Sequence, residues 1–570
     1  MSDSSAAVSS SPAKSWGSAP QKASPLAWRA LIVLLIGMFM SLIDTTIVNV
    51  ALQTIREHVN GAGQPAAGED VLSWIISGYA LAFGIALIPA GRLGDRLGHK
   101  WVFFSGLALF TVASLACGLA ASDVQLIVFR VVQGLAAGTF VPAVTAYIQI
   151  LFPGRERGKA FAIMGAVIGA SSALGPITGG LIIQAFGNAN GWRLIFGVNV
   201  PIGIVALILA VVLIPGTRAL AAMGLSPKER GASGGVDWIG LLLITGGLVG
   251  ILVPLIEGQD KGWPLWTFLV LAAGILLIVL FGVYEVQHAK RGRSPLVPPH
   301  LFSHPAFAGG TVLALVFFAA FTSIFFTISL LWQAGLGHTA LESGLVSTPY
   351  AIGFIVTSSQ SARFTQRLGR TTLLIGTAVL TLSLAAVWLI LLYVKAADIT
   401  NWDLLAPLFL AGAGSGLFIA PNSQFIVATV DRSEAGAASG VISTMQRVGS
   451  AIGIAVVGSV LFGIADLSSI KGEVKKKVTA EVAKRVTAYM KTQGFTSAQA
   501  AANAAKAAAT HFGKILGSTI GKQELATHFM TAAASAMGVS VLFALAAFAL
   551  VFVLPRRLSP QWGGSEPGGH

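Results

Sequence analysis

Apolar residues in this chain gather into long runs, each close to the roughly twenty residues a helix needs to cross a bilayer, separated by short polar or basic stretches. The runs fall at 28–52, 71–90, 101–121, 124–148, 160–184, 193–215, 236–257, 264–286, 306–332, 340–362, 371–394, 402–427, 437–463 and 530–554. The pattern predicts an all-α membrane protein with fourteen transmembrane helices. Residues 1–27 are rich in Ser, Ala and Pro and read as a disordered tail, with a second tail at 555–570. The first run is too long for a signal-peptide core.

Composition agrees. The 570 residues are 54% hydrophobic and only 11% charged, with mean hydropathy +0.78, whereas soluble domains carry about 25% charge. A net charge of +14 raises nucleic acid as a partner, but the basic residues sit in the loops between runs, where they act as topology signals and lipid-headgroup contacts. With the N-terminus in the cytoplasm, the inner loops hold Arg92/Arg96/Lys100, Arg155/Arg157/Lys159, Arg218/Lys228/Arg230, Lys290/Arg291/Arg293 and Arg363/Arg367/Arg370. The short outer loops hold little more than Arg56, Lys261 and Lys395. The expected placement is a multi-pass protein of the cytoplasmic membrane, with both termini cytoplasmic. A long, Ala- and Lys-rich connection at 465–529 falls outside; long loops escape the charge rule. Its composition favours two helices, 474–490 and 498–515, turning near Gly494. They are open to three readings: a solvated hairpin, a lid over the outer vestibule, or a surface helix on anionic lipid.

The chain repeats itself. Arg96 and Gly98 recur as Arg367 and Gly369 at an offset of 271. At an offset of 278, Gly134, Gly138, Phe140, Glu156 and Gly158 recur as Gly412, Gly416, Phe418, Glu434 and Gly436. Residues 28–215 and 306–554 are therefore two six-helix bundles, and 216–305 carries two helices inserted between them. Similarly oriented halves are a plan of secondary transporters, with substrate bound between the halves near the membrane midplane.

Against that frame, intramembrane charge is sparse and informative. Asp44 lies in the first run, where a carboxylate costs several kcal/mol and is functional by default. Arg130 in the fourth run needs an anionic or carbonyl partner. Asp44 lies roughly 12 Å and Arg130 roughly 9 Å from the outer ends of their helices at the helical rise, so the two share a level and form the expected pair. After the second run comes Gly91-Arg92-Leu93-Gly94-Asp95-Arg96-Leu97-Gly98-His99-Lys100. Its glycines permit a tight turn, and an acid among bases can make charged hydrogen bonds that exist in only one conformation, as a gate needs. The fifth run contains Gly175-Pro176-Ile177-Thr178-Gly179-Gly180, where proline bends the helix and glycines admit a neighbour. Arg447 is the remaining deep charge.

These residues resemble the major facilitator superfamily. Gly91, Arg92, Asp95 and Arg96 match its cytoplasmic loop signature, whose acid helps hold the outward-open state; His99 stands where arginine is common. The run from Arg130 to Gly138 resembles its helix-four motif, tied to proton transfer, and Gly175, Pro176, Gly179 and Gly180 resemble its antiporter motif. Asp44-Thr45-Thr46-Ile47-Val48-Asn49-Val50-Ala51-Leu52, Gly191-Trp192-Arg193 and Asn199-Val200-Pro201-Ile202-Gly203 narrow the likeness to the fourteen-helix drug:proton antiporters, with Gln53 where proline is usual. Relatives that export lipophilic cations often carry further acids in the second half, where this chain has Arg447, Gln446 and Asn422. A neutral, zwitterionic or acidic amphiphile is thus as plausible a substrate as a cation.

The resemblance implies a proton-coupled antiporter that exports amphipathic drugs or toxic compounds by alternating access. Asp44 is its proton carrier, Arg130 its partner, and Trp74, Tyr79, Phe83, Trp332, Gln333, Asn422, Gln446 and Arg447 its cavity wall. An exporter of an endogenous lipid or metabolite, and an uncoupled facilitator, stay open as alternatives. A membrane-embedded enzyme fails on inventory: no histidine lies inside a membrane run, and no metal-spacing Cys/His cluster occurs. No metal or cofactor is expected, the proton being the coupling ion. The expected partners are small amphipathic substrates, protons and lipids, with no nucleic acid, and the expected state is a monomer.

Overall fold

The structure, a computed structural model, describes residues 23–61, 69–223, 225, 237–293, 295–464, 467–492 and 498–555. The first half holds α1 (Pro25–His58), α2 (Glu69–Leu97), α3 (His99–Leu119), α4 (Asp123–Leu151), α5 (Gly154–Gly197) and α6 (Asn199–Leu213). A short α7 (Thr217–Ala222) precedes the inserted pair, α8 (Trp238–Asp260) and α9 (Leu265–Lys290). The second half holds α10 (Pro305–Leu330), α11 (Ala340–Val346), α12 (Thr348–Leu368), α13 (Thr371–Tyr393), α14 (Asn401–Val427) and α15 (Ala435–Ile464). It closes with α16 (Leu467–Thr492) and α17 (Ala498–Leu550).

Local chemistry places the ends. Ser24 caps α1, its Oγ accepting from the Ala27 amide, with Pro25 pre-set for the first turn. Ser122 caps α4 in the same way, and Thr339 with Glu342 closes a capping box on α11. Residues 25–27, read as part of the N-terminal tail, belong to α1; residues 1–22 and 556–570 lie outside the described residues, as do Gly494 and Lys228/Arg230. Α5 runs on past the fifth span and bends at Gly187, whose φ of 74° is left-handed. The chain turns there into the sixth span.

Two expectations need correction. The tenth run is not one helix: the chain breaks at Ser347 between α11 and α12, where Pro349 sits in the first turn of the second piece. Among the described residues thirteen stretches, against the fourteen expected, are long and apolar enough to cross a membrane, and α12 is the helix left out. It carries Ser, Thr, Gln and Arg along its 21 residues, yet packs between α5 and α14 as a spanning helix would.

The repeat is physical as well as sequential. At the offset of 271, Tyr79 and Phe83 recur as Tyr350 and Phe354. In the first half, Gly134 and Gly138 of α4 lie so close to the Tyr79 and Phe83 carbonyls of α2 that a Cβ would collide with them. In the second half, Gly412 and Gly416 of α14 lie equally close to the Tyr350 and Phe354 carbonyls of α12. Lipid gives no hydrophobic drive between helices, so backbone approach at small residues holds each pair. The turns that follow α2 and α12 are also matched, Gly98 and Gly369 both taking positive φ (93° and 56°).

The halves meet along two seams, α5 on α12 and α15 on α2. The inserted α8 packs on both α2 and α15, with α9 against its other side. The connection at 465–529 forms the expected antiparallel pair of helices, but its second helix runs unbroken into the last span, making α17 53 residues long. Lys477 ties the pair, 3.0 Å from Glu473 and 2.9 Å from Glu524. Glu473, Glu524 and His528 converge closely enough for a metal ion, but the Lys477 ammonium sits among the carboxylates in its place.

Candidate functional site

Asp44 of α1 is fully buried, and five other helices supply its surroundings. Arg130 of α4 donates from Nη1 to its Oδ2 at 2.5 Å. Gln133, one turn further along α4, donates from Nε2 to Oδ1 at 2.9 Å, and Asn199 at the start of α6 donates to the same oxygen at 3.1 Å. Each partner is held in turn. Arg130 Nη1 also donates to Gln133 Oε1 at 2.8 Å and its Nε to the Ile75 carbonyl at 3.1 Å. Asn199 Nδ2 donates to Ser114 Oγ at 3.0 Å, and Ser114 to the Phe196 carbonyl at 2.9 Å. The Arg130 guanidinium lies 4.1 Å above the Tyr79 ring, whose hydroxyl bonds Ser41. Every member is at most 2% exposed, so the charges are shielded from water and compensated only by one another. Such a network is stable only when complete.

The loop after α2 makes a different contact from the one expected. Asp95 accepts from the Gly436 and Ala437 amides at 2.9 and 3.0 Å, the free N–H groups at the start of α15. His99, one turn on, lies 3.2 Å from Asp95 Oδ1. Arg92 and Arg96 do not pair with Asp95: the buried Arg92 Nε has no hydrogen-bond partner. Two buried carboxylates act on them electrostatically, Asp237 just ahead of α8 on Arg96 and Glu285 of α9 on Arg92. Asp237 accepts from Tyr284 at 2.8 Å, and Glu285 accepts from the Val297 amide at 3.0 Å. Gly91 and Gly436 touch backbone to backbone, so a Cβ on either would collide. Ser439 donates to the Pro142 carbonyl at 2.7 Å and Gln149 to the Val430 carbonyl at 2.8 Å. The halves are locked together at this end.

In α5, Gly175 lies on Thr46 of α1, Pro176 lies against Gly344 of α11, and Gly180 against Leu341; Gly179 is buried. The motif therefore contacts both halves, joining α1 to the far side of the α5–α12 seam.

Residues 34–454 match the Major Facilitator Superfamily. The chain belongs to it. The superfamily is one of membrane transporters, and the chain is not an enzyme. Among its relatives is the "Probable actinorhodin transporter" of Streptomyces coelicolor, 34% identical over 77% of this chain and 73% of that one. The tetracenomycin C resistance and export protein of Streptomyces glaucescens is 32% identical over 76% and 75%. The cephamycin export protein of Amycolatopsis lactamdurans is 33% identical over 76% and 84%. In fold, the human organic anion transporter MFSD10 superposes with a TM-score of 0.59 over 93% of this chain and 100% of that one, at 14% identity. The proton:xylose symporter XylE gives 0.54 over 78% and 90%, also at 14% identity.

The expected cavity wall does not assemble as one surface. Tyr79 and Phe83 come together with ring centroids 6.1 Å apart, and Arg447 lies 3.9 Å above the Phe83 ring. Trp332 is instead buried in the second half, donating to Asn401 Oδ1 at 2.9 Å, while Gln333 donates to Ser329 Oγ at 2.7 Å. Asn422 is buried against α10, donating to the Gly310 carbonyl at 3.1 Å. Trp74 and Gln446 stay partly exposed. The amides and the tryptophan at 332 are consumed by packing because each finds a local acceptor. Sequence reasoning also missed Gln133, Asn199 and Ser114. Gln133 was detectable, since three residues from Arg130 puts it on the same helix face; Ser114, on α3, carried no signal.

Proposed function

We propose that this transporter exports amphipathic compounds across the cytoplasmic membrane in exchange for protons, with the gate-loop end and both termini in the cytoplasm. The observation that carries this reading is the Asp44 network, one carboxylate buried in a six-helix bundle with Arg130, Gln133 and Asn199 on its two oxygens. A proton on Asp44 removes the charge that holds Arg130. Arg130 is not orphaned by that step, because it keeps Gln133 Oε1, the Ile75 carbonyl and the Tyr79 face. Protonation thus loosens α1 from α4 without leaving a bare guanidinium, which is what a reversible switch in a dry site requires.

Relatives named for antibiotic export and resistance support an outward direction and a drug-like substrate. The Asp95 contact to α15 makes the present form closed at the cytoplasmic end, with the other state reached when those bonds break. One inward proton supplies about 2.3 kcal/mol per 100 mV plus its pH term, enough to drive export against a substantial gradient. A pH jump imposed across proteoliposomes tests the proposal. Asp44→Asn keeps the shape and one acceptor oxygen for Arg130, puts an amide nitrogen where Oδ1 accepts from Gln133 and Asn199, and cannot take up a proton, so it should fold and bind substrate yet lose gradient-driven transport. Unchanged gradient-driven transport in that variant rejects Asp44 as carrier; transport indifferent to the gradient in the native protein favours a facilitator.

A further inference from the structure

The two seams between the halves are repeat-related, and one difference between them stands out. On the first, Gly169 of α5 seats against the ring of Phe354 in α12. On the second, the residue 278 positions later is Arg447 of α15, and its guanidinium lies 3.9 Å above the ring of Phe83, the counterpart of Phe354. The first seam closes with a glycine. Packing therefore gives no reason for an arginine on the second.

Arg447 stands near the middle of α15, roughly 18 Å along the helix from its gate end. Among the described residues, the Phe83 ring is its one partner; no carboxylate, carbonyl or hydroxyl completes it. An arginine left so in a membrane-spanning helix is costly and marks a site. The inserted α8 covers the lipid side of this seam, with Leu252 against Gly84 beside Phe83 and Ile244, Leu248 and Leu252 all buried. Arg447 as a residue is only partly buried, although it sits at the seam between α15 and α2.

We propose that Arg447 receives an anionic group of the exported compound, so that the transporter takes amphiphiles bearing a carboxylate, sulfonate or phenolate in preference to lipophilic cations. The inference rests on the exporter reading above and names its substrate class. Guanidinium donors pair with such oxyanions through charged, often bidentate hydrogen bonds. Phe83 and Tyr79 connect the two arginines: Arg447 lies on Phe83, Phe83 is 6.1 Å from Tyr79, and Arg130 lies on Tyr79. An anion at Arg447 and a proton at Asp44 occupy separate groups at the two ends of this ladder. A cationic substrate would instead compete with the proton for Asp44.

The test uses a matched probe set: a dansyl-labelled medium-chain fatty acid, its methyl ester and the dansyl alkylamine of equal length. Binding is read by tryptophan-to-dansyl transfer in nanodiscs, and transport in proteoliposomes with an imposed pH gradient. The acid is expected to bind and move best. Arg447→Gln should weaken the acid about tenfold or more, the size of a lost charged hydrogen bond, and leave the ester unchanged; Arg447→Lys should restore part of the loss. Equal handling of the acid by Arg447→Gln and the native protein, a native preference for the amine, or no binding of the acid at all overturns the assignment. Acid binding that depends on Arg447 but is never driven by the gradient leaves the assignment standing and overturns the proton-coupled exporter instead.

Discussion

The two halves share a frame and differ in what they put inside it. Both press α-helical glycines onto the carbonyls of a tyrosine and a phenylalanine one turn apart, Tyr79 and Phe83 in one half and Tyr350 and Phe354 in the other. In the first half Tyr79 faces Arg130, and behind it lies the Asp44 network. In the second half the position corresponding to Arg130 is Leu408, 1% exposed. Tyr350 there donates to Ser415 at 2.6 Å and packs on Phe321, Phe325 and Phe354, while Phe317 stacks on Phe418 at 3.9 Å. One scaffold tolerates both fillings, so the fold does not require the ion pair. Breaking a buried pair is expensive, whereas replacing it whole by apolar residues is often neutral or stabilising. Its presence in only one half is therefore a matter of function.

Copying the second half into the first should give the largest effect. Arg130→Leu leaves Asp44 buried with only the Gln133 and Asn199 amides, and is expected to cost about 3–5 kcal/mol of stability. Adding Asp44→Leu should recover most of that loss while gradient-driven transport stays absent. Unfolding in detergent micelles measures both. A single variant as stable as the native protein would break the comparison, because the carboxylate would then not depend on its cation.

The seams offer a second, smaller contrast. Gly436 is pressed on the Gly91 backbone and on Asp95, whereas its counterpart Gly158 meets the side chains of Gln424 and Ala362. Backbone does not yield as a side chain end does, and overpacking typically costs about 1–3 kcal/mol. Gly436→Val should therefore prise the two halves apart at the loop after α2, with spin-label distances across that contact moving to a longer population. Gly158→Val should move them much less. Equal shifts would mean that the two seams bear on the gate alike and that Asp95 is not its particular latch.

The apolar pattern made the frame readable, because each spanning helix must satisfy its own backbone and so needs one long run. It failed where a helix is shielded by its neighbours: α12 can carry Ser358, Ser361 and Thr365, all buried against protein, and so falls below an apolar standard. The Asp44–Arg130 pair was readable because helical rise converts sequence position into depth. Depth says nothing about rotation about the helix axis. That is why Trp332, Gln333 and Asn422, polar or aromatic residues at plausible levels, proved to face their own bundle, why Asn199 was seen in a motif but not as a neighbour of Asp44, and why Ser114 went unnoticed. Charge at the gate was readable as a motif, but not the identity of its partner, since Asp95 binds backbone amides that any sequence would supply.

The smallest expected effect concerns the connection between the last two spans of each half. In the first half it is a bend at Gly187; in the second it is the α16–α17 hairpin, tied by Lys477, Glu473, Glu524 and His528. Hydrogen bonds from Lys477 and His528 hold the Glu473 carboxyl below the usual carboxylate range, and hydrogen bonds to Glu524 and Glu473 hold Lys477 above the usual lysine range. The sign follows for each. A lowered acid stabilises above its unfolded value and loses that contribution as pH falls through the folded one; a raised base stabilises below its unfolded value and loses it as pH rises through the folded one. The tie should be strongest on a plateau between the two ranges and weaken on either side. Because the groups are exposed, the effect is local and screened by salt. Protection of α16 from hydrogen exchange, taken relative to the intrinsic rate at each pH, should be highest on the plateau and fall in acid, a contrast that Glu473→Gln removes, whereas protection around Gly187 should show no such dependence. If α16 exchanges alike in the native protein and in Glu473→Gln across the acid limb, the hairpin is held by its apolar contacts instead, and the asymmetry of the two connections is one of length and not of charge.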